Sequence, residues 1–182
     1  MPRSNKERTE ATRIALLDAA RQLFVEKGYV ETVTPDIAAV ANVTRGALYH
    51  HFPDKKALFV AVARRESDAV AAEIEKRAAQ IAKPRDAIIA GASAYFDSMA
   101  VPGRTRLLLL EAPALFTEDQ AELALKSGLS NFLTGSKTAI LIDPLTVLLS
   151  AAFDRAALEI DKGADRSRLE AGIAVLIDGL AS

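Results

Sequence analysis

The chain has 182 residues, half of them hydrophobic, with 23 Lys/Arg against 24 Asp/Glu and a formal net charge of −1. Such a length buries roughly 70% of the unfolded surface in one or two cores, and the apolar share argues against long disorder. With no cysteine, disulfides and thiolate metal sites are excluded, and two adjacent histidines argue against a zinc site.

The N-terminal stretch MPRSNKERTEATR is charged and lacks the apolar core of a signal peptide. Apolar stretches such as 107–110, broken by Glu111, fall far short of the roughly 20 residues that span a bilayer. The expectation is a soluble cytoplasmic protein with no membrane partner and no cofactor. Charge is weakly asymmetric: residues 1–56 hold 9 Lys/Arg and 7 Asp/Glu, residues 57–182 hold 14 and 17. A basic surface must therefore come from local placement.

Nearly everything reads as helix, with no convincing period-2 strand. A first helix is predicted over 7–26, with an apolar stripe at Ile14, Leu17, Ala20 and Phe24, ended by Gly28. A second covers 35–41: Thr34 is placed as its N-cap, Pro35 at the first helical position and Asp36 near the positive helix end. Asn42 suits the left-handed conformation of a tight turn. Thr44 caps a third helix, and Val43 with Leu48 forms a hydrophobic staple across its start. Pro53 breaks the chain, and Asp54 caps a long fourth helix running toward residue 81. Pro84, Pro102–Gly103, Pro113, Gly135 and Pro144 punctuate the remainder into helices near 84–100, 104–112, 117–134, 144–162 and 166–181. The total is about nine helices in an all-α fold. The expected division is a three-helix domain over 1–56 and a second helical domain over 57–182.

The second helix, a turn at 42–44 and the third helix form a helix-turn-helix pattern. On the third helix Leu48 and Phe52, four apart, share the buried face. The opposite face offers Arg45 and Tyr49, flanked by Gly46 and His50. Arg45 can hydrogen-bond two acceptors on a guanine edge. Gly46 and Ala47 permit close approach to bases or sugars. Tyr49 and His51 can donate to phosphate oxygens, and the helix starts at Thr34, Thr44 and Lys55 are further phosphate candidates. Spacing alone also fits a helical interaction module that never touches DNA. An enzyme has little support: no Ser/His/Asp or Cys/His set is possible away from the turn, and no phosphate-binding glycine loop is present.

The order L-L-D-A-A-R-Q-L-F-V-E-K-G-Y at 16–29, then T-P-D-I-A-A-V-A-N-V-T-R-G-A-L-Y-H-H-F-P-D-K-K-A-L at 34–58, resembles the DNA-binding domain of TetR (tetracycline repressor-like) regulators. The resemblance implies major-groove roles for Arg45, Gly46, Ala47 and Tyr49, and phosphate contacts at Thr34, Tyr49, His51 and Lys55. Asn42 departs from the family's usual glycine, which it can replace in a left-handed turn, and the His50 position varies among relatives. The implied function is a homodimeric repressor, released from a palindromic double-stranded DNA operator by a small molecule.

For the rest of the chain the periodicity points to a dimer. Leu169, Ile173, Leu176 and Leu180 recur along the last helix. The helix before it has two apolar stripes, Leu145, Leu149, Ala152 and Ala156, and Leu148, Ala151 and Leu158. A helix apolar on two faces needs partners on both sides, one of which can be a second subunit. Aromatic and apolar residues concentrated in the middle helices, Tyr95, Phe96, Met99, Leu110, Phe116, Phe132 and Phe153, are candidates for the small-molecule site. The fourth helix is the natural carrier of a signal, with Val62, Ala69 and Ile74 expected to pack on the second domain.

Overall fold

The structure is a computed structural model in which residues 5–115 and 120–180 are described. Among them are eight α-helices: α1 (Asn5–Glu31), α2 (Thr34–Val40), α3 (Arg45–His51), α4 (Lys55–Ala78), α5 (Pro84–Met99), α6 (Gln120–Phe132), α7 (Ile142–Asp161) and α8 (Arg166–Leu180). A π-helical turn (Arg106–Glu111) and two short 3₁₀ turns (Ala112–Ala114 and Lys137–Leu141) complete them. No strand occurs among the described residues, and none of the helices is long and apolar enough to cross a membrane.

The chain packs as two units. The first holds residues up to 65 and the segment 106–115; the second holds 66–105 and 120–180. Leu58, Phe59, Val62 and Ala63 of α4 are buried in the first unit's core, and Ala69 is exposed.

In the first unit α1 buries Leu16, Leu17, Ala20, Leu23 and Phe24. That spacing of 1, 4, 7 and 8 from Leu16 defines one helical face. Ile14 lies off this face and is 46% exposed, so the apolar stripe is rotated from the one its sequence suggested. Ile37 of α2, Leu48 and Phe52 of α3, and Leu107 and Ala112 of the 106–115 segment close the core. Phe59 meets the rings of Phe24 and Tyr29 edge-on, at centroid distances of 5.1 and 5.0 Å.

Gly28 breaks α1, as its position suggested. Its φ of 85° and ψ of 167° belong to a region essentially reserved for glycine. It is also crowded: a Cβ there would stand 2.5 Å from Arg106 Nη2 and 3.0 Å from Glu111 Oε1. The Glu111 carboxylate accepts from the Tyr29 backbone N–H at 2.9 Å and from Arg106 Nε at 3.0 Å. The 106–115 segment is thereby fastened to the end of α1.

In the second unit α5, α6, α7 and α8 pack together around Ile88, Phe96, Leu129, Leu149, Phe153, Ile173 and Ile177. Arg104 forms a buried ion pair with Glu66 at 2.9 Å and donates to the Ser98 carbonyl at 2.8 Å. Asp97 on α5 accepts from Arg77 of α4 and Arg166 of α8, and these hydrogen bonds hold its carboxyl below the usual range. Arg85 at the start of α5 grips Asp178 of α8 through two nitrogens.

The two stripes of α7 face opposite ways. Leu149 and Ala156 are buried within the protomer, whereas Leu148 is 66% exposed and Ala151 and Val147 are also exposed. On α8, Ile173 and Ile177 point inward while Val175, 72% exposed, and Leu176 point out.

Candidate nucleic-acid interface and ligand cavity

The turn between α2 and α3 is built by local chemistry. Asn42 adopts φ 53°, the left-handed conformation its side chain tolerates. The Thr44 hydroxyl accepts from Ala47 N at 3.1 Å and caps α3. Thr34 does not cap α2; it is the first helical residue, Val33 stands at the cap position without a side-chain bond, and Pro35 follows. The Thr34 hydroxyl instead lies 3.0 Å from the Tyr49 hydroxyl, linking the start of α2 to α3.

The outward face of α3 carries no core duty. Leu48 and Phe52 are buried, while Arg45, Gly46, Tyr49 and His50 are exposed and Ala47 is half-buried. The Arg45 guanidinium lies 5.5 Å from the Tyr49 ring centroid. The hydrogen bond with Thr34, then that with Arg45, holds the Tyr49 phenol below its ordinary value. His51 is half-buried; burial, then the charges of His50 and Arg13, favours its neutral form. Arg45, Tyr49 and Thr34 form one cluster, whereas Thr44 uses its hydroxyl within the helix cap.

Lys55 is the first residue of α4. Its ammonium donates to the carbonyls of Tyr29 at 2.8 Å, Val30 at 3.1 Å and Thr32 at 2.9 Å. It also sits 4.5 Å from the Tyr29 ring centroid. An ammonium has three protons, so this side chain ties the last carbonyls of α1 to the start of α4. Asp54 caps α4 as expected, accepting from Ala57 N at 2.7 Å.

The second unit contains a cavity of about 90 Å³ between α4, α5, α6 and α7. Ile74, Ile88, Leu125, Tyr95 and Phe153 supply its apolar walls. Glu122 and Asp154 are the charged groups among the described lining residues, and Ser150 adds a hydroxyl. The Tyr95 hydroxyl donates to Asp154 Oδ1 at 2.6 Å. A second hollow on α5 and α7, of about 240 Å³, is lined by Phe96, Met99, Thr105, Ala157, Ile160 and Asp161, with Ala100.

Residues 16–62 match the family described as bacterial regulatory proteins, tetR family. The chain is 37% identical over 90 residues to the HTH-type transcriptional repressor Rv1474c of Mycobacterium tuberculosis, a match covering 50% of this chain and 48% of that protein. It is 31% identical over 130 residues to the HTH-type transcriptional regulator TtgR of Pseudomonas putida, covering 68% of this chain and 60% of that one. The crystal structure of a TetR-family transcriptional regulator from Pectobacterium atrosepticum superposes with a TM-score of 0.71 at 26% identity, over 98% of this chain and 95% of that one. Residues 16–62 thus carry the tetR-family sequence, and the chain as a whole is similar to a TetR-family regulator. Its matches span about half of the first of these curated relatives and 60% of the second.

Of the candidate ligand residues, Tyr95 and Phe153 line the cavity between α4, α5, α6 and α7, and Phe96 and Met99 the second hollow. Leu110 lies in the first unit and is 62% exposed, and Phe132, half-buried at the end of α6, lines neither space. Phe116 lies outside the described residues. The sequence reading missed Asp154 and Glu122. Asp154 follows Phe153 directly, and a carboxylate beside an aromatic on a helix with two apolar stripes was the available signal.

Proposed function

We propose that this protein is a DNA-binding transcriptional repressor of the TetR family that works as a homodimer on a palindromic operator and is released by a small molecule. The observation that carries the reading is the outward face of α3, where Arg45 and Tyr49 are exposed, unneeded by the core and clustered with half-buried Thr34 of α2. Arg45 reads a guanine edge in the major groove, beside Gly46 and Ala47, which keep the backbone close to the bases. Tyr49, Thr34, Thr44, His50 and His51 surround it with donors for phosphate. The name of the mycobacterial relative, a transcriptional repressor, supports the direction of regulation.

The dimer is proposed through the outward faces of α7 and α8, where Val147, Leu148, Ala151, Val175 and Leu176 form an exposed apolar patch. A two-fold dimer places two recognition helices about one DNA turn apart, which matches a palindrome. The cavity is the proposed effector site. α4 is the proposed coupling element: it contributes Leu58, Phe59 and Val62 to the core beneath the DNA-reading helices and Ile74 to the cavity wall. A ligand that favours the form with weaker operator affinity shifts the population away from DNA.

The test is selection of duplexes from a random library by the whole protein, followed by titration of the enriched sequence. The expected product is a palindrome bound with a steep salt dependence and a preference lost in Arg45→Ala. Enrichment of no sequence, with binding insensitive to Arg45→Ala, overturns the reading.

A further inference from the structure

Resting on that reading of the cavity as the effector site, we propose that it takes a hydrophobic organic cation: an aromatic ammonium whose charge sits beside Asp154 and Glu122 and whose rings lie between the apolar walls. The space exists because four helices meet through small side chains, among them Ala78, Ala87, Gly91, Ala124 and Gly128. A Cβ at Gly91 would stand 3.3 Å from Ile74, a tight fit, and one at Gly128 would meet Ile88 at 3.4 Å, close to ordinary contact. Walls so composed select for apolar bulk without selecting its charge.

The charge preference comes from two carboxylates and the absence of any Lys, Arg or His among the described lining residues. A cation entering an apolar space loses its water and needs a paired anion to offset that cost. Asp154 is positioned for it, its Oδ1 held by the Tyr95 hydroxyl at 2.6 Å. A carboxylate offers about four lone-pair sites, more than a single hydroxyl donor uses. The Tyr95 and Phe153 rings, with centroids 5.9 Å apart and planes at 59°, give aromatic surface at the same place. A carboxylate ligand would bring like charge against Asp154 and Glu122. A neutral ligand would use the walls and leave the carboxylates idle.

The probes are three naphthalenes of one shape: 2-naphthylmethylammonium, 2-naphthalenemethanol and 2-naphthoate. The chain has no tryptophan, so naphthyl fluorescence reports binding to the whole protein directly. The ammonium is expected to bind about tenfold or more tightly than the alcohol, and the naphthoate weakest. Asp154→Asn and, separately, Glu122→Gln are expected to erode that preference, with circular dichroism confirming the fold; the second variant serves if the first disturbs Tyr95. Naphthoate binding as well as the ammonium, a preference unchanged in both variants, or binding of none of the three overturns the assignment. Operator titrations separate the two readings. If naphthoate and not the ammonium releases DNA, the cation assignment falls while ligand release stands. If the ammonium binds with its preference yet leaves operator affinity unchanged, the cation assignment stands and ligand release falls.

Discussion

The hydroxyls of Thr34 and Tyr49 lie 3.0 Å apart and join the first residue of α2 to the outward face of α3. The two side chains are 15 residues apart in sequence, so the bond fixes how the two helices of the motif present their polar atoms together. Arg45 stacks near the same Tyr49 ring. Removing the phenol oxygen therefore acts on a cluster and not on one contact.

Tyr49→Phe is expected to weaken binding to every DNA sequence alike, because it removes a phosphate donor and loosens Thr34. Arg45→Ala is expected to cost about 1–3 kcal/mol in discrimination at one or two base pairs. Competition binding with single-base operator variants distinguishes them. Unaltered sequence preference in Arg45→Ala would remove it from the groove.

Lys55→Met separates two roles for one side chain. A phosphate contact predicts that the salt slope of DNA binding falls by roughly one unit. The geometry instead predicts loss of about 1–3 kcal/mol of stability, since three carbonyls at the end of α1 lose a charged donor. The expected result is a lower urea midpoint with an unchanged salt slope.

Legibility in the sequence followed the range of the interactions. Thr44, Asp54, Asn42, Pro35 and Gly28 act within a few residues of themselves, and each marks its turn or helix end in the structure. The punctuation at Pro102–Gly103 and Pro113 predicts one more helix of the second domain near 104–112, a stretch that overlaps the 106–115 segment. Its place is decided by Glu111 bonding to Tyr29, 82 residues away, which no periodicity encodes. The cavity was obscured for a different reason. Aromatic residues attract notice, but Phe96 is almost fully buried, while the space itself is created by alanines and glycines that carry little signal.

Adjacent residues on α7 are expected to give opposite phenotypes. Leu148→Glu places charge on an exposed apolar patch and should yield a folded monomer, with helicity kept and DNA affinity lost. Leu149 is 5% exposed and belongs to the protomer core. Leu149→Glu should therefore unfold the second unit, because an unpaired charge is buried. Sedimentation with circular dichroism reads both. A folded monomer from Leu149→Glu, or a dimer from Leu148→Glu, contradicts the proposed face.

Acid sensitivity is expected from Asp97. Its hydrogen bonds to Arg77 and Arg166 depress its folded value below the ordinary carboxylate value of about 3.9. A depressed carboxyl contributes stability that is present above the unfolded value and is lost as pH falls through the folded one. Stability should thus fall below about pH 4, and Asp97→Asn should flatten this acid limb while lowering stability at neutral pH. Thermal melts between neutrality and acid measure it. An acid limb of equal slope in the variant would show that other carboxylates, Asp178 beside Arg85 among them, dominate.

Gly28→Ala tests the fastening of the 106–115 segment. Two separate costs are expected. The backbone at φ 85°, ψ 167° is strained for any residue with a Cβ, at about 1–3 kcal/mol. The added methyl also stands 2.5 Å from Arg106 Nη2, the far end of a flexible side chain. Arg106 can swing away, but it then gives up its bond to Glu111 at 3.0 Å, and Glu111 loses a partner while still holding Tyr29 N. Combining Gly28→Ala with Arg106→Ala separates the costs, since the strain persists in both backgrounds and the clash exists only where Arg106 is present. The double variant is expected to be more stable than the sum of the two single losses, with coupling of about 0.5–3 kcal/mol. Urea unfolding of all four proteins supplies the cycle. Strict additivity would mean that Arg106 is not seated against Gly28, and a Gly28→Ala variant as stable as the parent would mean that α1 ends without the glycine-only turn.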